Sequence, residues 1–214
     1  MVQVLNLGSV RQASARVRQR NEARRLDILR AAARVFRRRG IAAAGMREIA
    51  EEAGLSPGNL YHYFSGKDEI LLFCQERTLQ RLLAAVEKEG TASGSVKVRL
   101  RAVISAHVQC MLDELEGATA HLEVEGLPEA MRAAVIEKRD AYEHAVRALV
   151  TEGMERGEFA PTDPALVTRA MLGAVNWTAR WYRPEGPRSV AEIADSLSGY
   201  LVGGLSPISE AGVK

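Results

Sequence analysis

Apolar residues recur along most of this chain at the three- and four-residue spacing that places them on one face of an α-helix. Between residues 46 and 53 the intervening positions are mostly charged, which predicts a short amphipathic helix with an apolar face of Met46, Ile49, Ala50 and Ala53. No run of four to eight residues alternates cleanly between apolar and polar, as a half-buried strand would. The sequence therefore predicts an all-α fold of about nine helices.

A second short helix is predicted directly after a tight turn. Gly54 tolerates the left-handed backbone that ends many helices, and Ser56 followed by Pro57 is typical of a helix start. Leu60 and Phe64 are spaced to pack inward. Two short helices joined by such a turn are typical of a helix-turn-helix, which reads DNA in the major groove. The alternative is an ordinary helical hairpin in a bundle.

Longer helices are predicted on both sides of this motif. A helix over residues 23–39 precedes it and is stopped by Gly40. The helices that follow cover about 68–89, 100–115, 129–156, 163–182 and 189–203, with one further turn of helix in the connection 121–131. Residues 90–95 are rich in Gly, Ser and Thr and form the clearest linker.

The net charge of +2 conceals a division along the chain. Residues 1–67 hold 13 Lys and Arg against 5 Asp and Glu, a net +8, whereas the remainder holds 16 against 22, a net −6. This division is typical of a DNA-facing domain joined to a domain that does not bind DNA, although a solvated arginine surface would give the same count. We expect a mobile basic arm over residues 1–22, a helix-turn-helix DNA-binding domain over 23–67, and a ligand-binding and dimerisation domain over 68–214.

Composition argues against several classes of protein. A content of 47% hydrophobic and 26% charged residues indicates a soluble globular protein with a core. No apolar run reaches the roughly 20 residues that span a membrane, and the N-terminal residues lack the pattern of a secretory signal, so we expect a cytoplasmic protein. Cys74 and Cys110 lie far apart, and no convincing catalytic or metal-ligand spacing is found. We predict buried thiols, no metal, no cofactor and no enzyme activity.

The chain resembles the DNA-binding domain of the TetR family of bacterial repressors in the stretch ILRAAARVFRRRGIAAAGMREIAEEAGLSPGNLYHYFSGKDEILL. The resemblance covers about residues 24–83. The positions that match the family pattern are Ala32, Phe36, Gly40, Ile49, Ala50, Ala53, Gly54, Leu60, Tyr61, Tyr63, Phe64, Lys67 and Leu71. Family members usually carry Ser or Thr before the first motif helix, where it caps the helix and touches a phosphate. This chain has Ala44 and Gly45 there, so that contact is not carried over.

The second motif helix supplies the residues expected to contact DNA bases or grooves, which are Pro57, Gly58, Asn59, Tyr61 and His62. Phosphate contacts are expected from Arg47, Tyr63 and Lys67. Lys67 begins the next helix, where its ammonium could meet a phosphate beside the helix amides; the alternative is a solvent-facing lysine. The basic arm either enters a minor groove or is simply solvated.

Broad apolar faces on the last two predicted helices indicate an interface with a second copy of the chain. Helix-turn-helix proteins commonly dimerise because two half-sites are read together. In the TetR family the equivalent two helices form the dimer interface, and the resemblance implies the same here. The expected interface residues are Leu166, Ala170, Met171, Ala174, Trp181, Ile193, Leu197, Tyr200 and Leu201. The alternative is burial wholly within the monomer.

The remaining helices combine apolar residues with a few polar tips, which is typical of a small-molecule pocket and equally of an ordinary core. The expected pocket residues are Phe73, Ile104, His107, Met111, Tyr142, Trp177, Arg180 and Arg183. Residues 173–205 also resemble the C-terminal end of TetR-type repressors of fatty-acid, phenylacetate and steroid breakdown, whose inducers are acyl-coenzyme A thioesters. The residues that carry it are Asn176-Trp177 and 181–184. The resemblance implies an apolar tunnel for the acyl chain, with arginines such as Arg180 or Arg183 at the phosphates.

These observations predict a homodimeric repressor that releases a palindromic, double-stranded DNA operator when a hydrophobic effector, such as an acyl-CoA, occupies the second domain. Lipid or aromatic-acid degradation genes are the expected targets, and no membrane partner is expected. The alternative is a TetR-type regulator of an efflux pump that responds to a hydrophobic, drug-like ligand. An enzyme and a nucleoid protein without sequence preference are the rival classes, and activation in place of repression stays open.

Overall fold

The computed structural model describes residues 7–113, 124 and 126–207, and every regular element within them is an α-helix. The eight helices are α1 (Leu7–Arg39), α2 (Met46–Glu52), α3 (Pro57–Tyr61), α4 (Lys67–Thr91), α5 (Val96–Leu112), α6 (Glu129–Glu155), α7 (Pro164–Trp181) and α8 (Val190–Gly203). This confirms the predicted all-α class. Of the stretch 121–131, in which one turn of helix was expected, residues 121–123 and 125 lie outside the described residues, 126–128 are not helical, and the rest begins α6.

The described chain forms two compact units, the first ending at Ile70 and the second beginning at Leu71. The helix α4 therefore begins in the first unit and continues in the second. None of the described helices is both long and apolar enough to cross a membrane.

The turn between α2 and α3 has the backbone geometry that its sequence predicts. Gly54 has a φ of 63°. Two hydrogen bonds close α2 in a Schellman motif, from Gly54 N to Glu51 O at 3.0 Å and from Leu55 N to Ala50 O at 2.8 Å. The hydroxyl of Ser56 then caps α3 by accepting a hydrogen bond of 3.3 Å from a backbone amide. Local backbone chemistry therefore fixes the two helices of the motif.

The first helix begins at Leu7, well before the predicted start at residue 23. Residues 7–22 lack an apolar face, and a search for hydrophobic periodicity detects only helices that have one. The segment is nevertheless rich in Ala, Gln and Arg, which have high intrinsic helix propensity. The side chains of residues 15–23 are exposed. Over residues 7–22 the expected arm is thus corrected to a helical extension, and residues 1–6 lie outside the described residues.

The second unit buries a core to which all five helices α4–α8 contribute. Helix α5 lies deepest, since ten of its 17 residues are buried. Two of those ten are the polar residues Arg99 and His107, which need partners inside the protein. The cysteines Cys74 and Cys110 are buried thiols, as predicted.

A buried guanidinium joins the ends of α4 and α6. The side chain of Arg99 is 6% exposed. It donates to the carbonyl oxygens of Glu89 at 2.6 Å and Gly90 at 2.8 Å, in the last turn of α4, where helix carbonyls lack intrahelical partners. It also pairs with the carboxylate of Glu152 on α6 at 2.7 Å. A buried charge is tolerated only when it is paired and hydrogen-bonded, and Arg99 meets both conditions.

The N-terminus of α5 is capped by a residue that lies far away in sequence. The carboxylate of Glu158 accepts hydrogen bonds from Ser95 Oγ at 2.6 Å and from the amides of Val96 and Lys97 at 3.1 Å each. These bonds, the hydroxyl bond first among them, stabilise the charged form and lower the pKa of Glu158 to about 2. A carboxylate at this position also complements the positive end of the helix dipole.

Replacing Glu158 with Gln should lower the stability of the protein at neutral pH. Because the folded pKa of Glu158 lies below its ordinary value of 4.5, its contribution is complete above about pH 4.5 and is lost as the pH falls towards 2. Urea unfolding at pH 7, 5 and 3 should show an equal gap between wild type and E158Q at the two higher values and a smaller gap at pH 3. The control is Glu155→Gln, which changes an exposed carboxyl on α6. A gap that does not change with pH would contradict the assignment.

Candidate nucleic-acid interface and small-molecule cavity

The short helix α3 presents one side to solvent. The exposed residues on this helix and directly after it are Pro57, Gly58, Asn59, Tyr61 and His62. Tyr61 is 54% exposed, so both its ring and its hydroxyl can reach a partner. On the inward side Leu60 and Phe64 are almost fully buried. The structure therefore brings the five residues expected to contact bases or grooves onto one surface, which we call the α3 surface.

Two of the three residues expected to contact phosphates remain accessible beside this surface. Arg47 is exposed in the first turn of α2, and its side chain makes no hydrogen bond or ion pair with any residue that the structure describes. Tyr63 is half-buried. Gly45, the N-cap of α2, makes no side-chain cap, as the absence of Ser or Thr there predicts.

Lys67 has a different role from the one its position suggested. Its ammonium donates to three backbone carbonyl oxygens of the loop between α1 and α2, those of Ile41 at 2.7 Å, Ala42 at 3.2 Å and Ala44 at 3.5 Å. These three bonds use the three donors of the group. We therefore correct the expected phosphate contact to a structural tie that holds the loop before α2.

Charged side chains on α1 hold the motif in place. The guanidinium of Arg25 lies 4.5 Å from the centroid of the Phe64 ring and 3.2 Å from a carboxylate oxygen of Glu69. Further along α1, two arginines bind the carboxylate of Glu52 on α2 and lower its pKa: Arg34 at 2.6 Å and Arg38 at 2.7 Å. The sequence reasoning missed these pairs because contacts between distant helices leave no periodic signal.

A large apolar surface is exposed on α7 and α8. Its bulky members are Leu166, Trp177, Trp181 and Tyr200, which are 65%, 64%, 48% and 79% exposed. Small residues lie between them on α7, namely Ala170, Gly173 and Ala174, and all three are exposed. We call these seven residues the α7–α8 face. Exposed apolar patches of this kind usually mark an interaction site.

The structure divides the predicted interface residues between this face and the core. Met171 and Ile193 are 3% and 8% exposed and belong to the core of the second unit, which corrects their assignment. Leu197 and Leu201 are half-buried and pack against the same core. Helix α7 is apolar on two sides, and periodicity alone does not tell which side faces the interior.

A cavity of about 240 Å³ lies among α4, α5, α6 and α7. Its lining residues are Leu79, Leu82, His107, Arg139, Asp140, Tyr142, Glu143, Leu172 and Asn176. His107 and Tyr142 were predicted pocket residues. Asn176 and Arg139 were not assigned to the pocket, although Asn176 stands in the stretch that carried the second resemblance. The lining is more polar than the tunnel that the resemblance implied.

His107 is the most deeply buried polar group of this cavity, with 2% exposure. Its Nδ1 lies 3.2 Å from the hydroxyl of Tyr142, and the two rings meet edge to face, with centroids 5.3 Å apart. Burial lowers the pKa of His107 to about 4, and a side-chain hydrogen bond with Asn176 opposes this shift more weakly. Burial also raises the pKa of Tyr142. Both groups are therefore neutral at physiological pH.

The other expected pocket residues lie elsewhere. Phe73, Ile104 and Met111 are buried but do not line the cavity. Trp177 belongs to the α7–α8 face, and Arg180 is exposed. Arg183 lines a separate groove of about 570 Å³, together with Trp181, Tyr182, Gly186, Pro187, Arg188, Ile193, Ser196, Leu197 and Tyr200. The expected pocket residues are thus divided among the core, the α7–α8 face, a partly open polar cavity and an open groove with two arginines.

Comparison with known proteins places both units among bacterial regulators. Residues 28–73 match the family model of bacterial regulatory proteins, tetR family, and residues 93–205 match the tetracyclin repressor-like, C-terminal domain. The transcriptional repressor KstR2 of Mycobacterium tuberculosis is 27% identical over 186 residues, which are 86% of this chain and 93% of KstR2. The solved structure of that ketosteroid regulator has a TM-score of 0.77 at 25% identity, covering 86% of this chain and 95% of the other.

Two further proteins are similar over most of their length. The fatty acid metabolism regulator protein of Bacillus subtilis is 24% identical over 183 residues, 84% of this chain and 94% of the relative. The solved structure of AibR in complex with isovaleryl coenzyme A and operator DNA has a TM-score of 0.70 and covers 84% of this chain and 98% of that one. Its identity is 24%, so this likeness shows the fold alone.

Replacing Tyr61 with Ala should weaken selective DNA binding about tenfold or more without changing the thermal unfolding curve. The reason is that an exposed side chain on the α3 surface contributes to a partner and little to the core. Fluorescence anisotropy with a duplex that the wild type binds selectively gives the affinity, and circular dichroism gives the melt. Val98→Ala, at an exposed position on α5, is the control. An unchanged affinity for Y61A would count against this surface.

Proposed function

Because this chain belongs to the TetR family of bacterial transcriptional regulators, we propose that it is a homodimeric repressor whose grip on a palindromic operator is released by an acyl-CoA thioester. The observation that supports this most directly is the α3 surface, on which small and hydrogen-bonding side chains stand exposed above two buried anchors. The relatives are transcriptional regulators, and this chain is a regulator and not an enzyme. We propose that it acts in the cytoplasm, where its DNA target lies.

The α3 surface enters the major groove in this proposal. Five of its residues contact base edges or groove walls, and they are Pro57, Gly58, Asn59, Tyr61 and His62. Arg47 and Tyr63 contact phosphates, which set register without reading sequence. Exposed arginines on the early turns of α1 add positive charge to the same unit, among them Arg16, Arg18 and Arg20. Lys67 acts indirectly, by holding the loop that precedes α2.

The α7–α8 face supplies the dimer interface. Tyr200 and Trp177 expose most of their side chains, and removing such apolar surface from water contributes about 25 cal/mol per Å². A second copy of the same face covers it by two-fold symmetry, which is the commonest arrangement in homo-oligomers. Small residues at Ala170, Gly173 and Ala174 leave room for the partner helix to approach closely. The symmetric pair then presents two α3 surfaces to the two halves of a palindrome.

The cavity in the second unit receives the effector. Two of its lining residues, Leu79 and Leu82, lie on α4, the helix that begins at Lys67 directly after the motif. A ligand that binds one position of α4 better than another shifts the population towards that position. A tilt of α4 changes the separation of the two α3 surfaces, so that both no longer fit their half-sites. In this proposal, the conformational change that couples the effector to operator release is therefore a shift of α4.

An acyl-CoA is the proposed effector because the similar proteins have related ligands or roles. AibR was crystallised with isovaleryl coenzyme A, KstR2 is a ketosteroid regulator, and the relative in Bacillus subtilis regulates fatty acid metabolism. The open groove shares Trp181 and Tyr200 with the α7–α8 face, and its exposed Arg183 and Arg188 contact the phosphates of the coenzyme in this proposal. The regulated genes are accordingly those of lipid or aromatic-acid degradation. Control of an efflux pump by a hydrophobic drug is the competing outcome of the test below.

Native mass spectrometry of the purified protein with a panel of acyl-CoAs should show a dimer that gains one thioester per subunit. The same thioester should then release the protein from its operator in an anisotropy assay, while free coenzyme A should not. Arg183→Gln should weaken binding of the thioester by about tenfold, because a charge-assisted contact to phosphate is lost. If no thioester binds and a hydrophobic drug releases the DNA, the acyl-CoA proposal is wrong and the efflux alternative takes its place.

Replacing Leu166 with Glu should raise the dimer dissociation constant by at least tenfold, because a carboxylate would be buried in the interface without a partner. Sedimentation velocity across a dilution series measures it. Ile136→Glu is the matched control, since Ile136 is an exposed apolar residue of α6 outside the α7–α8 face. Equal dimerisation by L166E and the wild type would overturn the proposed interface.

A further inference from the structure

The N-terminal part of α1 carries positive charge that the protein does not pair. Residues 15–23 are all exposed, and from residue 15 onward the first buried side chain of α1 is that of Ile28. Within this stretch the side chains of Arg16, Arg18 and Arg20 make no hydrogen bond or ion pair with any residue that the structure describes. A helical stretch that buries no face gains little from packing, so its charges are available to an external partner.

Arginines further along α1 are neutralised within the same unit. Arg30 pairs with Asp27 at 3.2 Å, and Arg34 and Arg38 pair with Glu52 at 2.6 Å and 2.7 Å. The carboxylates of this unit are thus used on the part of the helix that packs against the motif. The positive charge that they leave over includes the three arginines before residue 21.

The side of α1 that faces the motif is marked by Arg25. Its guanidinium lies 4.5 Å from the centroid of the Phe64 ring, and Ala32, seven residues further on, is fully buried. Seven residues are about two helical turns, so Arg18 lies on this same side, about 10 Å along the axis from Arg25. Phe64 follows Tyr61 by three residues, so this side of α1 also meets the segment that ends α3.

The other two unpaired arginines lie on the opposite side of the helix. Relative to Arg25, Arg16 and Arg20 are rotated about the helix axis by about 180° and 140°, whereas Arg18 is rotated by only about 20°. A duplex bound to the α3 surface lies beside the motif, on the side of α1 that carries Arg25. Of the three arginines, Arg18 is therefore the one that faces such a duplex.

We propose that Arg18 binds a phosphate of the operator duplex outside the bases that the α3 surface contacts; this inference rests on the proposed function and adds a contact to it. A guanidinium forms two parallel hydrogen bonds with a phosphate, and this contact positions the protein without reading sequence. The distance of about 10 Å from Arg25 equals about three phosphates along one strand, at about 3.4 Å each. Arg18 thus lengthens the footprint of each subunit, while Arg16 and Arg20 stay in solvent.

The test measures affinity by fluorescence anisotropy over a series of salt concentrations, with a duplex that the wild type selects from a random pool. At about 0.15 M salt, Arg18→Gln should weaken binding about fivefold per subunit, because one phosphate contact is lost. The slope of log K against log salt should also become shallower by about one per subunit. An unchanged slope in R18Q would overturn the inference.

The matched control is the double variant Arg16→Gln/Arg20→Gln, which removes twice the charge from the same exposed stretch. Its salt slope should equal that of the wild type, because neither side chain faces the duplex. If the slope instead changes in proportion to the charge removed, the positive stretch acts as a whole and the assignment to Arg18 is wrong.

The phosphate is located by replacing single flanking phosphates with neutral methylphosphonates. At one position the replacement should weaken the wild type about fivefold and leave R18Q unchanged, as expected when two groups interact directly. The absence of any such position would contradict the proposed contact.

A further pair of variants tests the helical placement, because an arm without fixed structure would present Arg18 from any angle. Asn21→Pro should break α1 between Arg18 and Arg25 and weaken binding as R18Q does, whereas Asn21→Ala should bind as the wild type does. Asn21 is exposed, so the melting temperature should stay the same in both variants. Equal binding by N21P and the wild type would overturn the placement.

These outcomes separate the inference from the function on which it rests. If the wild type selects a duplex and R18Q binds it equally well, only the inference is wrong. If the wild type selects no duplex, the repressor proposal is wrong as well.

Discussion

The second unit depends on one buried cation, the guanidinium of Arg99. Its contacts with Glu89 and Gly90 fix the C-terminal end of α4, and its contact with Glu152 fixes the position of α6 beside that end. A positive charge at the carbonyl end of α4 and the carboxylate of Glu158 at the amide end of α5 each complement the dipole of the helix they meet. Two ions of opposite sign thus fix the corner at which three helices meet, and the apolar core fills the space that this corner defines.

The same corner determines how the cavity is built. His107 lies eight residues after Arg99 on α5, about 12 Å along a helix that is held at its first turn. The imidazole is therefore presented by a rigid element, and Tyr142 on α6 fixes its orientation. Leucines of α4 form the opposite wall. The cavity thus combines polar groups presented by α5 and α6 with apolar side chains of α4.

Much of this architecture could be predicted from the sequence, and the exceptions share a physical cause. The turn at Gly54 and the cap at Ser56 depend on neighbouring residues, so the chain itself reveals them. Met171 and Trp177 are both apolar residues of α7, yet one is in the core and the other is in solvent, because tertiary packing chooses between two apolar sides. Lys67 similarly donates to carbonyl oxygens 23 to 26 residues earlier in the chain, a contact that depends on tertiary packing. The α1 extension escaped detection because its propensity is high while its periodicity is absent.

The continuity of α4 has a further thermodynamic consequence under the proposed mechanism. Since the same helix forms a wall of the cavity and begins at the end of the DNA-facing motif, ligand and operator bias one shared element. Linkage then requires that bound operator lowers the affinity for the ligand by the same factor by which bound ligand lowers the affinity for the operator. This factor is about 5–150-fold in typical cases. The protein bound to DNA thus has a lower affinity for the ligand than the protein free in solution. When the free repressor is in excess over its operator dissociation constant, the metabolite concentration must therefore rise above the ligand dissociation constant of the free protein before transcription responds.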